Sequence, residues 1–346
     1  MLKIDIFTHI WPKPFFERLQ KVVPSFQDMG KRVTSIPMLT DLDVRFRVMD
    51  QFGPDYLQVL SMSSPPLEAM ADPAIAQDLA RAANDSMAEL VRRYPDRFAG
   101  FIAILALNDP EGMVAESRRA IDTLAAVGTL IYTNAAGRPL DEPDFLPFFT
   151  YMAERDRPIW LHPTRTARSA DYLTETKSKY EIWWTLGWPY ETTAAMSRLV
   201  FSGLFDRLPT LKIITHHGGG IAPMLEGRLG PGWDQLGTRT SDEDYGALLR
   251  QLKKRPLDYF RMFYADTALF GSRPATELAL AFFGADKMLF ASDSPFDPEQ
   301  GPMYIRETIR ILEDLQVDDT TRRKLFHGNA IELLRLHHLA SRAAAA

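Results

Sequence analysis

The chain is predicted to fold as one α/β domain, a (β/α)8 TIM barrel. Eight short apolar runs recur along its 346 residues, and longer segments with a helical period separate most of them. No Pro/Gly/Ser-rich linker or block of like charges divides the series. A doubly wound open sheet would carry a glycine-rich loop after the first run, where Phe7-Thr8-His9 stands instead. Eight repeats at this length favour closure into a barrel.

The strands are recognised as short and nearly continuous apolar runs. Such runs are typical of parallel strands that are buried on both faces of the sheet. Each run is too short for a buried helix. The predicted strands are 2–7, 56–62, 98–105, 128–134, 158–163, 212–217, 261–267 and 288–294.

The helices are recognised from their period and from their start signals. Asp72-Pro73 and Asp109-Pro110 each combine an N-capping aspartate with a proline at the first helical position. Apolar residues then recur with a helical period. The predicted helices are 42–51, 73–94, 110–126, 143–155, 191–205, 275–283, 304–315 and 319–336.

The barrel domain is predicted to comprise residues 1–338, with an aromatic insertion near 166–190 and a C-terminal tail at 339–346. The tryptophans of the insertion are either ordinary hydrophobic cover or a lid that keeps water out of the barrel mouth. They are Trp183, Trp184 and Trp188.

The bulk composition narrows the function. Hydrophobic content of 46% and charged content of 25% are those of an ordinary globular protein. A net charge of −5 argues against a nucleic-acid partner, and no apolar run is long enough to cross a membrane. No secretory signal is recognised at the N-terminus, so a cytoplasmic location is expected. Because the chain has no cysteine, a metal site would have to use histidines and carboxylates.

Polar residues follow five of the predicted strands where each strand ends. They are His9, His162, His217, Asp266 and Asp293. In a (β/α)8 barrel these strand ends surround one mouth, where active sites are built. Imidazole and carboxylate groups suit a divalent ion such as zinc, and they also suit acid–base catalysis. The sequence therefore predicts a shared site at this mouth.

The sixth strand ends in a stretch, 212–220, with two histidines and three glycines. Side chains alternate along a strand, so Thr215 and His217 are predicted on one face and His216 on the other. His217 is accordingly predicted in the mouth, and His216 packed behind it. The glycines allow a sharp turn or a close backbone approach to a ligand.

Five motifs carry a resemblance that runs over nearly the whole chain. They are Ile-Asp-Ile-Phe-Thr-His-Ile-Trp-Pro (4–12), Leu-His-Pro (161–163), Glu-Thr-Thr-Ala (191–194), His-Gly-Gly-Gly (217–220) and Ala-Ser-Asp-Ser-Pro-Phe (291–296). With them, the chain resembles the amidohydrolase superfamily, in the branch of metal-dependent decarboxylases related to aminocarboxymuconate-semialdehyde decarboxylase. The resemblance implies a barrel of the metal-dependent hydrolase type.

The resemblance also implies a metal site, with zinc as the first choice and manganese as the second. The family's ligands are an His-x-His pair after strand one, a histidine after strand five and an aspartate after strand eight. These positions match Phe7 and His9, then His162, then Asp293. The family's catalytic histidine matches His217. Phe7 departs from the pattern, because phenylalanine cannot bind a metal.

The function implied is non-oxidative decarboxylation of a small aromatic or unsaturated carboxylic acid. His217 would act as acid or base, and Asp293 would bind the metal or relay a proton. Arg45 and Arg228 look similar to arginines that hold substrate carboxylates in the family, and Trp184 would line the substrate site. Since the second arginine can come from a neighbouring subunit, the resemblance implies a homodimer.

Phe7 leaves alternatives open. The ion could remain on the other three ligands, completed by His217 or water; it could be another, more weakly held metal; or it could be absent. The same mouth could instead hydrolyse or hydrate a lactone, an ester or an unsaturated acid. The third alternative is a barrel that binds a ligand but catalyses no reaction. The sequence does not identify the substrate.

Overall fold

Eight parallel strands form a nearly closed barrel in the computed structural model, which describes residues 1–23, 29–62 and 64–345. The predicted (β/α)8 class is confirmed. The strands are β1 (Lys3–His9), β2 (Tyr56–Ser61), β3 (Phe98–Ile104), β4 (Gly128–Tyr132), β5 (Asn134–Ala135), β6 (Arg138–Pro139), β7 (Ile159–His162), β8 (Ile213–Thr215), β9 (Tyr264–Asp266) and β10 (Met288–Leu289). Strands β5 and β6 form a separate antiparallel hairpin, and the other eight make the barrel.

The barrel closes where the first strand meets the segment after the last one. The amide of Asp293 donates to the carbonyl of Phe7 at 3.1 Å, and the amide of His9 donates to the carbonyl of Ser294 at 2.8 Å. These backbone bonds bring the two ends of the sheet together. They also place β1 and the Asp293 segment side by side at the mouth.

Helices alternate with the barrel strands, and both helices with a predicted start signal begin at the predicted proline, although the side chain of Asp72 makes no capping hydrogen bond. Helix α4 begins at Pro73, and α5 begins at Pro110 with the Asp109 carboxylate accepting from the amide of Gly112 at 3.0 Å. The helices are α1 (Lys13–Val22), α2 (Gly30–Thr34), α3 (Leu42–Asp50), α4 (Pro73–Arg93), α5 (Pro110–Asp122), α6 (Leu146–Arg155), α7 (Ile182–Thr185), α8 (Gly187–Phe201), α9 (Leu204–Arg207), α10 (Tyr245–Gln251), α11 (Pro256–Phe260), α12 (Arg273–Phe283), α13 (Pro302–Asp314), α14 (Asp319–Arg323), α15 (Asn329–Leu334) and α16 (Ala340–Ala345).

A β-bulge in β1 determines which side chains reach the mouth. The pairing register with β2 shifts between Asp5 and Thr8. Within this irregular stretch, Ile6 and Phe7 both belong to the apolar cluster that fills the barrel, and the ring of Phe7 makes an edge contact with that of His9 at 4.3 Å. A bulge redirects the side chains next to it. The cluster also contains Ile4, Leu57, Val59, Ile102, Leu130, Trp160, Ile214 and Leu289.

Some local structure differs from the sequence prediction. Helices α10 and α11 form within 218–260, where none was predicted. The predicted C-terminal tail contains α16, and Ala346 lies outside the described residues. In the described part of the chain, no helix is both long enough and apolar enough to cross a membrane.

Candidate active site

Four histidine rings gather at the carboxyl ends of the barrel strands. The ring centre of His162 lies 6.0 Å from that of His9 and 5.4 Å from that of His216. The rings of His216 and His217 are 6.0 Å apart. Asp293 contacts His9. The structure thus brings together the predicted residues His9, His162, His217 and Asp293, and it adds His216.

His9 and Asp293 form a direct contact. The Nε2 atom of His9 lies 2.8 Å from Oδ1 of Asp293. On the other side of the ring, Nδ1 lies 3.1 Å from the carbonyl of Met62 and 3.1 Å from the hydroxyl of Ser61. A carbonyl can only accept, so Nδ1 carries a proton. In a neutral ring, Nε2 would then present a lone pair to Asp293.

The ring of His162 is oriented in the same way as that of His9, with Nδ1 bonded to a backbone carbonyl. Its Nδ1 donates to the carbonyl of Pro163 at 2.6 Å, which leaves a lone pair on Nε2. Burial lowers the pKa of His162 well below its usual range, and the nearby imidazoles of His216 and His9 lower it further. His162 is therefore neutral at physiological pH, as a metal ligand or a general base must be.

His216 does not pack behind the mouth, and that prediction is wrong. Strand β8 ends at Thr215, whose hydroxyl bonds outward to the carbonyl of Tyr264 at 2.8 Å. The His216 ring points inward, where it stacks on Phe7 with ring centres 3.6 Å apart. The side chain is completely buried, and burial lowers its pKa.

Asp266 is a partner of His216 and does not face the cavity. Its Oδ2 accepts from Nδ1 of His216 at 2.6 Å, and its Oδ1 accepts from the amides of Gly218 and Ala268, each at 3.2 Å. The Nε2 atom of His216 is buried and has no hydrogen-bond partner within the described ranges. An unpaired buried polar atom is uncommon and calls for an explanation.

Two of the predicted catalytic residues have a left-handed backbone. The φ angles are +56° for His217 and +64° for Asp293. Non-glycine residues seldom adopt this conformation, and it tends to occur at functional sites. It turns the His217 ring back toward the mouth, where Nδ1 donates to the carbonyl of Ala268 at 2.9 Å. The following glycines continue the turn, with φ between +62° and +81° at Gly218–Gly220.

A cavity of about 560 Å³ lies at the mouth of the barrel. His9, His162 and Asp293 lie among its lining residues, together with the basic residues Lys31 and Arg32. Its walls are aromatic: Trp183, Trp184, Trp188, Phe270, Phe296 and Tyr304. The insertion thus supplies three of the aromatic side chains that line the cavity. Trp184, the predicted substrate contact, is one of them.

Arg32 was missed by the sequence analysis. It lies in α2, and its guanidinium donates to the carbonyls of Phe296 at 2.6 Å and Asp297 at 2.9 Å. These bonds hold the side chain at the cavity beside the loop that carries Asp293. No motif surrounds Arg32, and the only signal was an adjacent pair of basic residues, Lys31-Arg32, after a glycine.

Arg45 does not reach the cavity, which corrects its predicted role. It is fully buried in α3, where it donates to Gln58 at 2.6 Å and to the carbonyls of His9 and Met38. It therefore holds the backbone of His9 from behind. Arg228 is exposed and is absent from the cavity lining.

A second cavity, of about 710 Å³, adjoins the first and shares Ser64 and Trp183 with it. Glu68 lines this cavity and is 8% exposed. Its Oε2 accepts from the amide of Leu107 at 3.4 Å, and its Oε1 has no partner among the described residues. Burial raises the pKa of Glu68 to about 7.

The donor atoms at the mouth fit a divalent ion in chemistry and orientation. His9, His162 and His216 each engage Nδ1 with an oxygen acceptor, and metal-binding histidines typically do the same with the nitrogen that is not coordinated. Yet no three such side chains in the described ranges stand close enough to hold an ion as they are. The rings lie 5.4 and 6.0 Å apart, against about 5 Å for two imidazoles sharing a tetrahedral ion.

Comparison with known proteins agrees with this picture. The amidohydrolase family model matches residues 4–336. The chain is 29% identical to 2-amino-3-carboxymuconate-6-semialdehyde decarboxylase of Dictyostelium discoideum, over 97% of this chain and 92% of the relative. It is 32% identical to γ-resorcylate decarboxylase of Polaromonas sp., over 85% of this chain and 87% of the relative.

A solved structure shows the same architecture. The dihydroxybenzoic acid decarboxylase of Polaromonas sp., with bound manganese and the inhibitor 2-nitroresorcinol, superposes with a TM-score of 0.77 at 28% identity. The match covers 97% of each chain. The fold, the strand-end residues and these matches together show that the chain belongs to the amidohydrolase superfamily, in the branch that includes these decarboxylases.

Proposed function

We propose that this chain is a metal-dependent, non-oxidative decarboxylase of a small aromatic or unsaturated carboxylic acid. The observation that carries the proposal is a single aromatic-walled cavity whose lining includes Arg32 together with His9, His162 and Asp293. A planar acid would stack on the aromatic walls, and the guanidinium would bind its carboxylate by forked, charge-assisted hydrogen bonds. The relatives named above, which are decarboxylases, support the same reaction class.

The ion would be held by His9, His162 and Asp293, with zinc and manganese as the candidates. When bound, it supplies positive charge that stabilises negative charge developing on the substrate oxygens. The manganese in the related decarboxylase structure supports a divalent ion here. The aromatic walls exclude water, which strengthens every electrostatic interaction inside the cavity.

His217 acts as the acid and base in the proposed reaction. It delivers a proton to the carbon that carries the carboxylate. The bond between that carbon and the carboxylate then breaks, its electron pair returns to the substrate carbon skeleton, and carbon dioxide leaves. Water reprotonates His217, so the net reaction converts a carboxylate and water into the protonated product, carbon dioxide and hydroxide. Asp293 relays the proton or holds the ion.

We also propose a cytoplasmic homodimer in which Arg228 of one protomer reaches the cavity of its partner. The exposure of Arg228 and its absence from the lining of its own cavity support this arrangement. Mixing the Arg228→Ala and His217→Ala variants tests it, since a mixed dimer would regain one complete site. Activity that stays at the sum of the separate variants would contradict a shared site.

The reaction is tested with protein loaded with zinc or manganese. Release of carbon dioxide is measured on a panel of hydroxybenzoic and unsaturated acids, beside lactones and esters as alternative substrates. We expect carbon dioxide from at least one acid, at a rate that falls by about 10²–10⁴ in His217→Ala. Turnover of a lactone or an ester, with no carbon dioxide from any acid, would show a hydrolase instead.

A further inference from the structure

We propose that His216 takes the ligand position that Phe7 cannot fill, so that the metal set of this chain is His9, His162, His216 and Asp293. The inference rests on the proposed function, in which the mouth holds a divalent ion. It concerns a residue whose ring the strand alternation had assigned to the opposite face. The observation behind it is the unpaired Nε2 atom of His216.

The hydrogen bonds of Asp266 determine the tautomer of His216. Oδ1 of Asp266 accepts the backbone amides of Gly218 and Ala268, which hold the carboxyl group in place. Its Oδ2 accepts from Nδ1 of His216 at 2.6 Å. Nε2 is then a lone pair without a donor, in a side chain that is completely buried. Histidine ligands in metal sites commonly donate one ring N–H to a carboxylate and bind the ion through the other nitrogen. His216 has this arrangement, with Nδ1 bonded to Asp266 and Nε2 free.

Phe7 supports His216 without blocking it. The two rings are stacked at 3.6 Å with an angle of 24° between their planes. Stacking covers the face of the imidazole and leaves its edge, where the nitrogen lone pair lies, uncovered. Phe7 also makes an edge contact with His9 at 4.3 Å. A phenyl ring in place of a ligand therefore packs between two histidines and limits their rotation.

The neighbouring donors surround the same mouth, although no three of them in the described ranges stand close enough to hold an ion without a shift. The ring of His216 is 5.4 Å from that of His162, close to the separation of about 5 Å expected for two imidazoles on one tetrahedral ion. Nε2 of His162 also carries a free lone pair, because its Nδ1 donates to a carbonyl. Nε2 of His9 and Oδ1 of Asp293, which also lie at the mouth, face each other at 2.8 Å. His216 completes a four-donor set without any contribution from position 7.

Metal binding tests the proposal without any measurement of activity. Purified wild type and His216→Asn are titrated with zinc against a competing chelator, and X-ray absorption counts the imidazoles around the ion. Asparagine can still donate to Asp266, which protects the fold. We expect three imidazoles in the wild type and two in the variant, with zinc binding weakened at least about tenfold. His327→Asn is the matched control, because His327 is also buried and donates to a carbonyl, that of Leu2, yet lies outside the mouth.

A compensating variant keeps the test decisive. In Phe7→His/His216→Asn, a ligand is restored on β1, and we expect zinc affinity to recover toward the wild-type value. Unchanged affinity and three imidazoles in His216→Asn would overturn the proposal, as would a folded wild type that binds no zinc. A wild type that binds zinc through His216 but releases no carbon dioxide would refute the proposed function and leave this inference standing.

Discussion

Nε2 of His9 and Oδ1 of Asp293 face each other at 2.8 Å, although the two residues are 284 positions apart in the sequence. Because Nδ1 of His9 donates to a carbonyl, both facing atoms carry lone pairs when the imidazole is neutral and the carboxylate ionised. One positive charge, either a proton or a metal ion, must therefore lie between or beside them. This contact is therefore the place in the candidate site where a positive charge is bound.

Replacing Asp293 by asparagine should remove this negative charge while preserving the shape of the side chain. We expect metal affinity to fall at least about tenfold and kcat to fall at least about a hundredfold. Steady-state kinetics with a fixed metal concentration, and a thermal melt to verify folding, measure both effects. A variant that keeps full kcat and wild-type metal content would contradict a role for Asp293 in either task.

His217→Ala should reduce kcat by about 10²–10⁴ and change KM little, because a general acid acts mainly in the transition state. The side chain is 8% exposed and its bond to Ala268 is single, so we expect the variant to fold. His338→Ala, at an exposed position, is the control and should match the wild type. Full turnover by His217→Ala would exclude this histidine from the chemistry.

Arg32→Met should raise KM for the carboxylate substrate by about 10- to 100-fold, with a smaller effect on kcat. The methionine keeps much of the side-chain volume but removes the forked donor. Lys31→Met is the matched control, since Lys31 also lines the cavity but is more exposed. Equal effects of the two substitutions would indicate a general loss of positive charge, and no specific role for the guanidinium.

Arg45→Met should act on stability. Burial lowers the pKa of Arg45 to about 10, so the guanidinium is still charged at neutral pH. Its removal leaves Gln58 and two carbonyls without a donor, which should cost about 3 kcal/mol in the free energy of unfolding. Urea unfolding measures this, with Arg228→Met as the exposed control. Wild-type stability with an altered KM would restore the substrate-binding role predicted from the sequence.

Glu68 should make stability depend on pH. Burial raises its pKa in the folded protein from 4.5 to about 7, so the folded state binds the proton more tightly than the unfolded state. Its stabilising contribution is complete below pH 4.5 and is lost as the pH rises through 7, by at most about 3 kcal/mol. Glu68→Gln should lack this part of the pH dependence in urea unfolding at pH 5 and pH 8. Exposed Glu154→Gln should keep it, and identical profiles for all three proteins would disprove the assignment.

The sequence alone was sufficient for the strands and for most of the strand-end residues. Continuous apolar runs identify buried parallel strands, and barrel geometry then brings His9, His162 and Asp293 to one mouth. The direction of His216 could not be predicted from alternation, because β8 ends at Thr215 and the backbone at His217 is left-handed. Counting alternate residues beyond the end of the strand therefore assigned His216 to the wrong face.

The arginines show a different limit of the sequence. Arg45 lies in a well-formed helix, but its burial depends on where that helix packs against β1 and β2. Arg32 lies in a five-residue helix without any motif, and only the tertiary fold brings it to the loop of Asp293. Side chains that act through long-range packing leave no local pattern to read.

The backbone bonds that close the barrel between β1 and the segment around Asp293 affect how the protein folds during synthesis. These backbone bonds join residues 7 and 9 to residues 293 and 294, so they close a long loop and carry an entropic cost. During synthesis on the ribosome, His9 emerges long before its partner exists. The first seven strands could form a partial sheet during that time, but the contact between His9 and Asp293 must wait until the last strand has emerged.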